Sequence, residues 1–341
     1  MKTGKIKENV LKRSVLRQIH TKRDEVRSGA AVGADCAVFA IPDSSDPYGE
    51  GIVYSCMRET ELERSTMTAL LIGCANNLII QGVEPFAVQI ALLLPEDAQE
   101  PFLKELMQEA ETVCASMKIQ IAGGQSRVSK AVKCAVAVVT MYAREPEGGA
   151  YFLPDYGKVR GGQDIVVTKW IGLEGTALLA RRYRDGLLER YPAYLVEEAA
   201  GFDRFLSLRP EVDAIREAAL AAVSNVCALH DVSEGGILAA LWEMAEAAGI
   251  GLTIDIRKLP IRQETVEVCE FCEVNPYELL GGGSLLAVCE DGEALVELLA
   301  KKDIAAVVVG KITDGKDRLI RNEDEVRYLD RPRTDEIYRC I

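Results

Sequence analysis

The chain has 341 residues, 48% hydrophobic and 27% charged, with 53 acidic against 40 basic side chains and a net charge of −13. This length predicts about two domains, each large enough to bury its own core. The acidity excludes nucleic acid as an expected partner, because counterion release needs clustered Lys and Arg, and every apolar run is interrupted too early to span a membrane.

Lys2, Lys5 and Lys7 stand where a secretory signal would begin, but no apolar stretch follows them, so no signal peptide is expected. The ten cysteines show no disulfide framework. Cys74, Cys114, Cys134, Cys227 and Cys289 sit within apolar helix or strand patterns, where a free thiol behaves as a small hydrophobe. A reducing cytoplasm is the expected setting.

Residues 8–20 carry Leu11, Val15, Leu16 and Ile19 at helical spacing. Nine basic residues against three acids in the first 27 leave two readings, a solvated helix face or an arm that folds over a phosphate. Short strands are predicted over 34–39 and 51–55, then a mostly apolar helix over 66–81 that stops at Gly82. A buried strand over 86–94 ends at Pro95. The helix predicted over 97–117 has one continuous stripe, from Phe102 through Leu106, Ala110 and Cys114 to Met117. A strand over 119–122 runs into a loop, Gly123-Gly124-Gln125-Ser126, and another strand follows over 133–142.

Glycine-rich punctuation over 144–163 marks a domain boundary, giving domains 1–150 and 160–341. The second half opens with a strand over 164–168 and continues with helices near 173–184, 193–205 and 211–224. After the His230 segment come a helix over 237–248 and a strand over 252–256. A strand over 285–289, a helix over 293–301 and a strand over 305–312 complete the series. Both halves mix strands with amphipathic helices, an α/β or α+β class.

Four segments carry chemistry. Gly33-Ala34-Asp35 could let backbone approach a ligand while Asp35 holds Mg²⁺ on phosphates, or be a plain turn. Asn76 and Asn77 are two adjacent amides at the end of an apolar helix, expensive to bury without partners. Gly123, Gly124, Gln125 and Ser126 could offer donors to an anion, or form a tight connection. His230-Asp231-Val232-Ser233-Glu234-Gly235-Gly236 places one of only two histidines beside an acid and before two glycines at a helix start. It reads either as an anion site with acid–base groups or as a capping motif with Ser233 at the N-cap. Cys269-Glu270-Phe271-Cys272 lacks the second ligand pair of a structural zinc site. Cys340 is either a reactive thiol or a cysteine without a role.

In order, seven segments resemble the ATP-binding superfamily of aminoimidazole ribonucleotide (AIR) synthase and the hydrogenase maturation protein HypE. They are GADCAVF (33–39), NNLIIQGVEPFAV (76–88), GGQSRVS (123–129), VVTKWIGLEGTALLA (166–180), HDVSEGGILAALWEMAEAAGIGL (230–252), NPYELLGGGSLLAV (275–288) and VVVGKITDG (307–315). The resemblance implies a PurM-like fold, with an N-terminal domain that pairs into an intersubunit β-barrel of a homodimer and a C-terminal α/β domain. It implies ATP and Mg²⁺ in a cleft between domains, and a small or protein-borne substrate whose carbonyl-type oxygen is activated. In HypE that substrate is a thiocarboxamide on a C-terminal cysteine. The implied nucleotide-binding residues are Gly33, Asp35, Asn76, Asn77, Gly123, Gly124, Gln125, Ser126, Lys169, Gly235 and Gly236. Asp35 is the implied metal ligand, and His230, Asp231 and Glu234 the implied catalytic groups.

The chain departs from the family pattern at the metal. Cys56-Met57 stands where Thr-Asp is usual, Asn76-Asn77 where Asn-Asp is usual, and Gln125 where Asp or His is usual. Mg²⁺ prefers carboxylate oxygen, so Glu59 or Glu61 would have to compensate. Ile341 follows Cys340, whereas the family's cysteine comes last. Two expectations follow: an ATP-dependent enzyme that activates a carbonyl or carboxamide oxygen, or a catalytically degenerate nucleotide- or anion-binding scaffold on the same fold.

Overall fold

A computed structural model describes residues 8–32, 36–42, 50–62, 66–146, 155–220 and 225–341. The expectations for Gly33 and Asp35 lie outside the described residues. Two compact units are formed, one from Lys7–Ala150 and one from Tyr151–Ile341.

The first unit begins with α1 (Glu8–Ser14) and a short helical turn, Leu16–Gln18. Its sheet contains β1 (Val26–Ser28), β2 (Cys36–Pro42), β3 (Glu50–Glu61), β4 (Glu84–Leu94), β5 (Gln120–Val128) and β6 (Val136–Arg144). The spatial order is β1-β2-β3-β6-β4-β5, antiparallel except for β4 with β5. Two helices lie between strands, α2 (Met67–Ile79) and α3 (Glu100–Ser116). Thr66 starts α2 by accepting a hydrogen bond from the Ala69 amide, as a threonine N-cap should.

Alternation decides what each strand buries. Tyr54 and Cys56 of β3, Val88, Ile90 and Leu92 of β4, and Ala137, Val139, Met141 and Ala143 of β6 are all buried. So are Leu70, Leu71, Cys74 and Leu78 of α2, which packs on that sheet. On the alternate positions Met57, Gln89 and Ala91 are exposed.

The predicted loop at Gly123 is instead strand. β5 runs through it, with Gly123 opposite Gln89 and Gly124 opposite Ile90. Gly124 permits this: a Cβ there would stand 1.8 Å from the Ile90 carbonyl oxygen. Pairing with β4 overrides the loop-forming tendency of two glycines.

The second unit holds β7 (Asp164–Thr168), β8 (Val226–Asp231), β9 (Gly251–Asp255), β10 (Leu285–Cys289), β11 (Ala306–Thr313), β12 (Arg318–Asn322) and β13 (Glu325–Tyr328). They form a sheet ordered β13-β12-β9-β11-β7-β10-β8, with only β12 and β9 parallel. Its helices are α4 (Leu173–Arg182), α5 (Arg184–Arg190), α6 (Ala193–Ala200), α7 (Arg209–Leu220), α8 (Gly236–Ala248), α9 (Gln263–Cys272) and α10 (Gly292–Ala300). β7, β8 and β10 are almost wholly buried, and Ile165, Val167, Leu286 and Val288 share a core with Ile237, Leu241 and Met244 of α8. A second cluster joins α4, α6 and α9 to Ile337 near the C-terminus. Among the described residues no helix is long and apolar enough to cross a membrane.

Candidate functional site

The His230 segment leaves the sheet at the end of β8. His230 faces Leu286 and Asp231 faces Leu285 across the antiparallel pair, and the Val232 amide continues the contact to the Ser284 carbonyl at 3.0 Å. This register buries both polar side chains, His230 at 5% exposure and Asp231 at 6%. His230 Nδ1 lies 2.6 Å from the Asp231 carbonyl oxygen. A carbonyl can only accept, so Nδ1 is the donor in this contact. Nε2 lies 3.8 Å from a Glu243 carboxylate oxygen on α8.

The turn into α8 uses two left-handed residues, Gly235 at φ 87° and Gly236 at φ 66°. Gly236 has no room for a side chain, because a Cβ would meet the Tyr277 carbonyl oxygen at 2.6 Å. The Ser233 carbonyl accepts from both Gly236 and Gly281, each at 3.1 Å, tying this turn to the Gly281-Gly282-Gly283 loop.

Ser233 is not the cap that the sequence offered as an alternative. Gly235 occupies the N-cap of α8, without a side-chain cap of its own. The acceptor comes from Asp335, whose Oδ2 receives the Gly235 amide at 2.6 Å. Asp335 Oδ1 also accepts from Leu280 at 3.2 Å and Ile337 at 2.8 Å. One buried carboxylate thus staples both glycine loops to the C-terminal segment. It also occupies the donor that a helix N-terminus would present to an anion. Burial raises the Asp335 carboxyl to about 7, against the pull of its three amide donors, and nearby Glu234 adds to the rise. Sequence reasoning missed this residue, because its partner amide stands 100 residues earlier.

Lys169 lies at the end of β7 in a left-handed conformation, φ 53°. Its ammonium lies 2.8 Å from Glu211 and donates to the carbonyl oxygens of Phe205 at 2.8 Å and Ser207 at 2.7 Å. Two hydrogen bonds and one ion pair thus hold the ammonium within the unit. Burial pulls the Lys169 pKa down and pushes the Glu211 pKa up, each opposed by the charge of the other.

In the first unit Asn76 and Asn77 are buried in the last turns of α2. Asn77 Nδ2 donates to the Cys56 sulfur at 3.4 Å, while the Cys36 thiol donates to the Asn77 carbonyl at 3.3 Å and the Cys74 thiol to the Cys56 carbonyl at 3.5 Å. Hydrogen bonds from Cys36 and Cys74, then Asn77, draw the Cys56 thiol well below its ordinary range, while Cys74 is driven up. Asn77 Oδ1 is buried without a partner among the described residues. Gln125, Ser126 and Arg127 are exposed on edge strand β5.

Among the described residues, the groups around Asn77 are not the donor set that Mg²⁺ prefers; Asp35, the implied ligand, lies outside them. Sulfur from Cys36, Cys56 and Cys74 surrounds Asn77, whereas a hard cation takes oxygen. Met57 is 66% exposed, and Glu59 and Glu61 alternate onto its side of β3, away from Cys56 and Asn77. No group of three or more His, Cys, Asp or Glu among the described residues is placed to hold a metal.

Residues 33–142 match the family described as AIR synthase related protein, N-terminal domain, and residues 160–321 match AIR synthase related protein, C-terminal domain. The chain belongs to the AIR synthase and HypE-like superfamily. It is similar to a putative hydrogenase expression/formation protein of Methanocaldococcus jannaschii, 26% identical over 275 residues, which cover 78% of this chain and 76% of that protein. Carbamoyl dehydratase HypE of Rhodobacter capsulatus is 26% identical over 248 residues, covering 70% and 67%. Among solved structures, HypE of E. coli superposes with a TM-score of 0.70 at 19% identity, covering 85% of this chain and 88% of that one. A HypE solved in complex with ATP gives 0.67 at 16%, covering 84% and 86%. HypE from a HypE–HypF complex gives 0.67 at 18%, covering 82% and 90%. These likenesses establish a mixed α/β, two-domain fold of the HypE kind.

Proposed function

We propose that this protein binds ATP and uses it to activate a carbonyl or carboxamide oxygen, a dehydration of hydrogenase-maturation type. The observation that carries the reading is the β8–α8 turn. It sets His230, Asp231 and Glu234 directly before two left-handed glycines, in a chain that matches both AIR synthase-related domains. A relative named carbamoyl dehydratase and a like-folded protein solved with ATP support this choice of reaction class and nucleotide.

In this reading Asp231 and Glu234 act on the substrate and its proton, and His230 positions the turn through its protonated Nδ1. Gly235 and Gly236 take phosphate once Asp335 releases the Gly235 amide. In the first unit, the nucleotide contacts that the resemblance implies for Gly123, Gly124, Gln125 and Ser126 would be made from exposed edge strand β5. Lys169 supports the fold rather than the phosphates, since its ammonium is held by Glu211 and the Phe205 and Ser207 carbonyls. The substrate is small or protein-borne, as the HypE–HypF complex suggests for that relative. The side of the first sheet that carries exposed Met57, Gln89 and Ala91 is covered by a second copy, closing a barrel in a cytoplasmic homodimer.

A second reading is favoured by the sulfur-rich surroundings of Asn77: a scaffold that holds a nucleotide or another anion without turnover. Phosphate release from ATP, measured with and without Mg²⁺ across carboxamide-bearing substrates, separates the two. The enzyme reading expects Mg²⁺-dependent turnover that Asp35→Ala abolishes. The scaffold reading expects binding without turnover under either condition.

A further inference from the structure

The C-terminal segment that supplies Asp335 also brings two distant thiols together. Cys272 is the last residue of α9, and Cys340 follows the short helical turn Glu336–Arg339. They are 68 residues apart in sequence, yet the Cys340 thiol donates to the Cys272 carbonyl oxygen at 3.8 Å, and both side chains pack against the same α4–α6–α9 cluster. Both are partly exposed, whereas Cys269, one turn earlier on α9, is buried. The segment is seated around them: Ile337 is buried in the α4–α6–α9 cluster, with Tyr338 and Ile341 against its edge.

We propose that Cys272 and Cys340 are a reversible redox pair, closed by a small-molecule disulfide such as oxidised glutathione, which locks the Asp335 segment onto the two glycine loops. The pairing does not depend on what those loops bind. Cys340 reacts first. Its thiolate attacks one sulfur of the oxidant, giving a mixed disulfide and one small thiolate that takes up a proton. Cys272 then loses its proton, attacks the Cys340 sulfur and expels the second small thiol. The protein dithiol gives up two electrons and two protons, and the oxidant takes both.

Burial pushes Cys272 up to about 12 and raises Cys340 as well. Little thiolate is present at neutral pH, so closure is slow. The same high pKa makes both poor leaving groups, so the bond resists cleavage once formed. Once closed, Asp335 cannot lift from Gly235 without straining a covalent loop, and the donors of the glycine turn stay capped.

The test uses the full chain, incubated with oxidised glutathione, blocked with N-ethylmaleimide and digested for peptide mapping. A Cys272–Cys340 linked peptide is expected in the wild type and in Cys269→Ser, and is absent from Cys272→Ser and Cys340→Ser. Hydrogen exchange at Gly235 and Ile337 should slow about tenfold on oxidation and recover with dithiothreitol. A bond through Cys269, a glutathione adduct on Cys340 that never resolves, or thiols still free after prolonged incubation overturns the pairing. A bond that leaves exchange at Gly235 unchanged overturns the lock.

Discussion

Replacing Asp335 removes the one acceptor set that joins both glycine loops to the C-terminal segment. Its side chain is 2% exposed and accepts from Gly235, Leu280 and Ile337. A buried N–H left without an acceptor costs ~1–3 kcal/mol. Asp335→Ala orphans three, and with partial relaxation we expect a loss of about 3–5 kcal/mol at pH 5. Asp335→Asn keeps one oxygen but turns an NH₂ toward either Gly235 or the Leu280–Ile337 side, for a loss of about 2 kcal/mol. The pH dependence has a definite sign. An unfolded aspartate titrates near 3.9, whereas burial holds Asp335 up to about 7. Across that window the native state keeps a proton that the unfolded chain has released. The stabilisation is complete below about pH 4 and drains as pH rises to 7, by at most ~1.4 kcal/mol per unit. The penalty of either substitution therefore shrinks between pH 5 and pH 8. Urea unfolding at both pH values, with hydrogen exchange at Gly235 to localise the effect, measures it. An Ala variant as stable as wild type at pH 5, or an identical penalty at both pH values, refutes the reasoning.

Glu211→Ala strands the Lys169 ammonium among the Phe205 and Ser207 carbonyls and should cost about 3–5 kcal/mol in urea unfolding; a loss under ~1 kcal/mol would mean that Lys169 is not held by that charge. Gly124→Ala forces a Cβ against the Ile90 carbonyl at 1.8 Å. It should expose β5 to proteolysis at Arg127 and cost more than ~3 kcal/mol, and wild-type stability would show that β5 does not pair there.

The sequence made most of the second unit's elements legible, because β7, β8 and β10 are short apolar runs and α8 is long and apolar. It misplaced β5, since two glycines read locally as a loop while their pairing with β4 is a non-local fact. It missed α5 and α9, one a seven-residue helix and the other rich in weak helix formers. The site was legible as composition: His230, Asp231 and Gly235–Gly236 do share one turn. It was not legible as occupancy. That Gly235 is capped by Asp335, and that Lys169 is spent on Glu211, depend on contacts 100 and 42 residues apart. Cys56 shows the same limit from the other side, since its pairing with Asn77 appears only when β3 and α2 meet.

The central claim is that this fold still holds a nucleotide. Isothermal calorimetry of the full chain with ATP, run with and without Mg²⁺, tests it most directly. Saturable binding of one ATP per chain is expected, competed by a non-hydrolysable analogue. No heat of binding under either condition contradicts it.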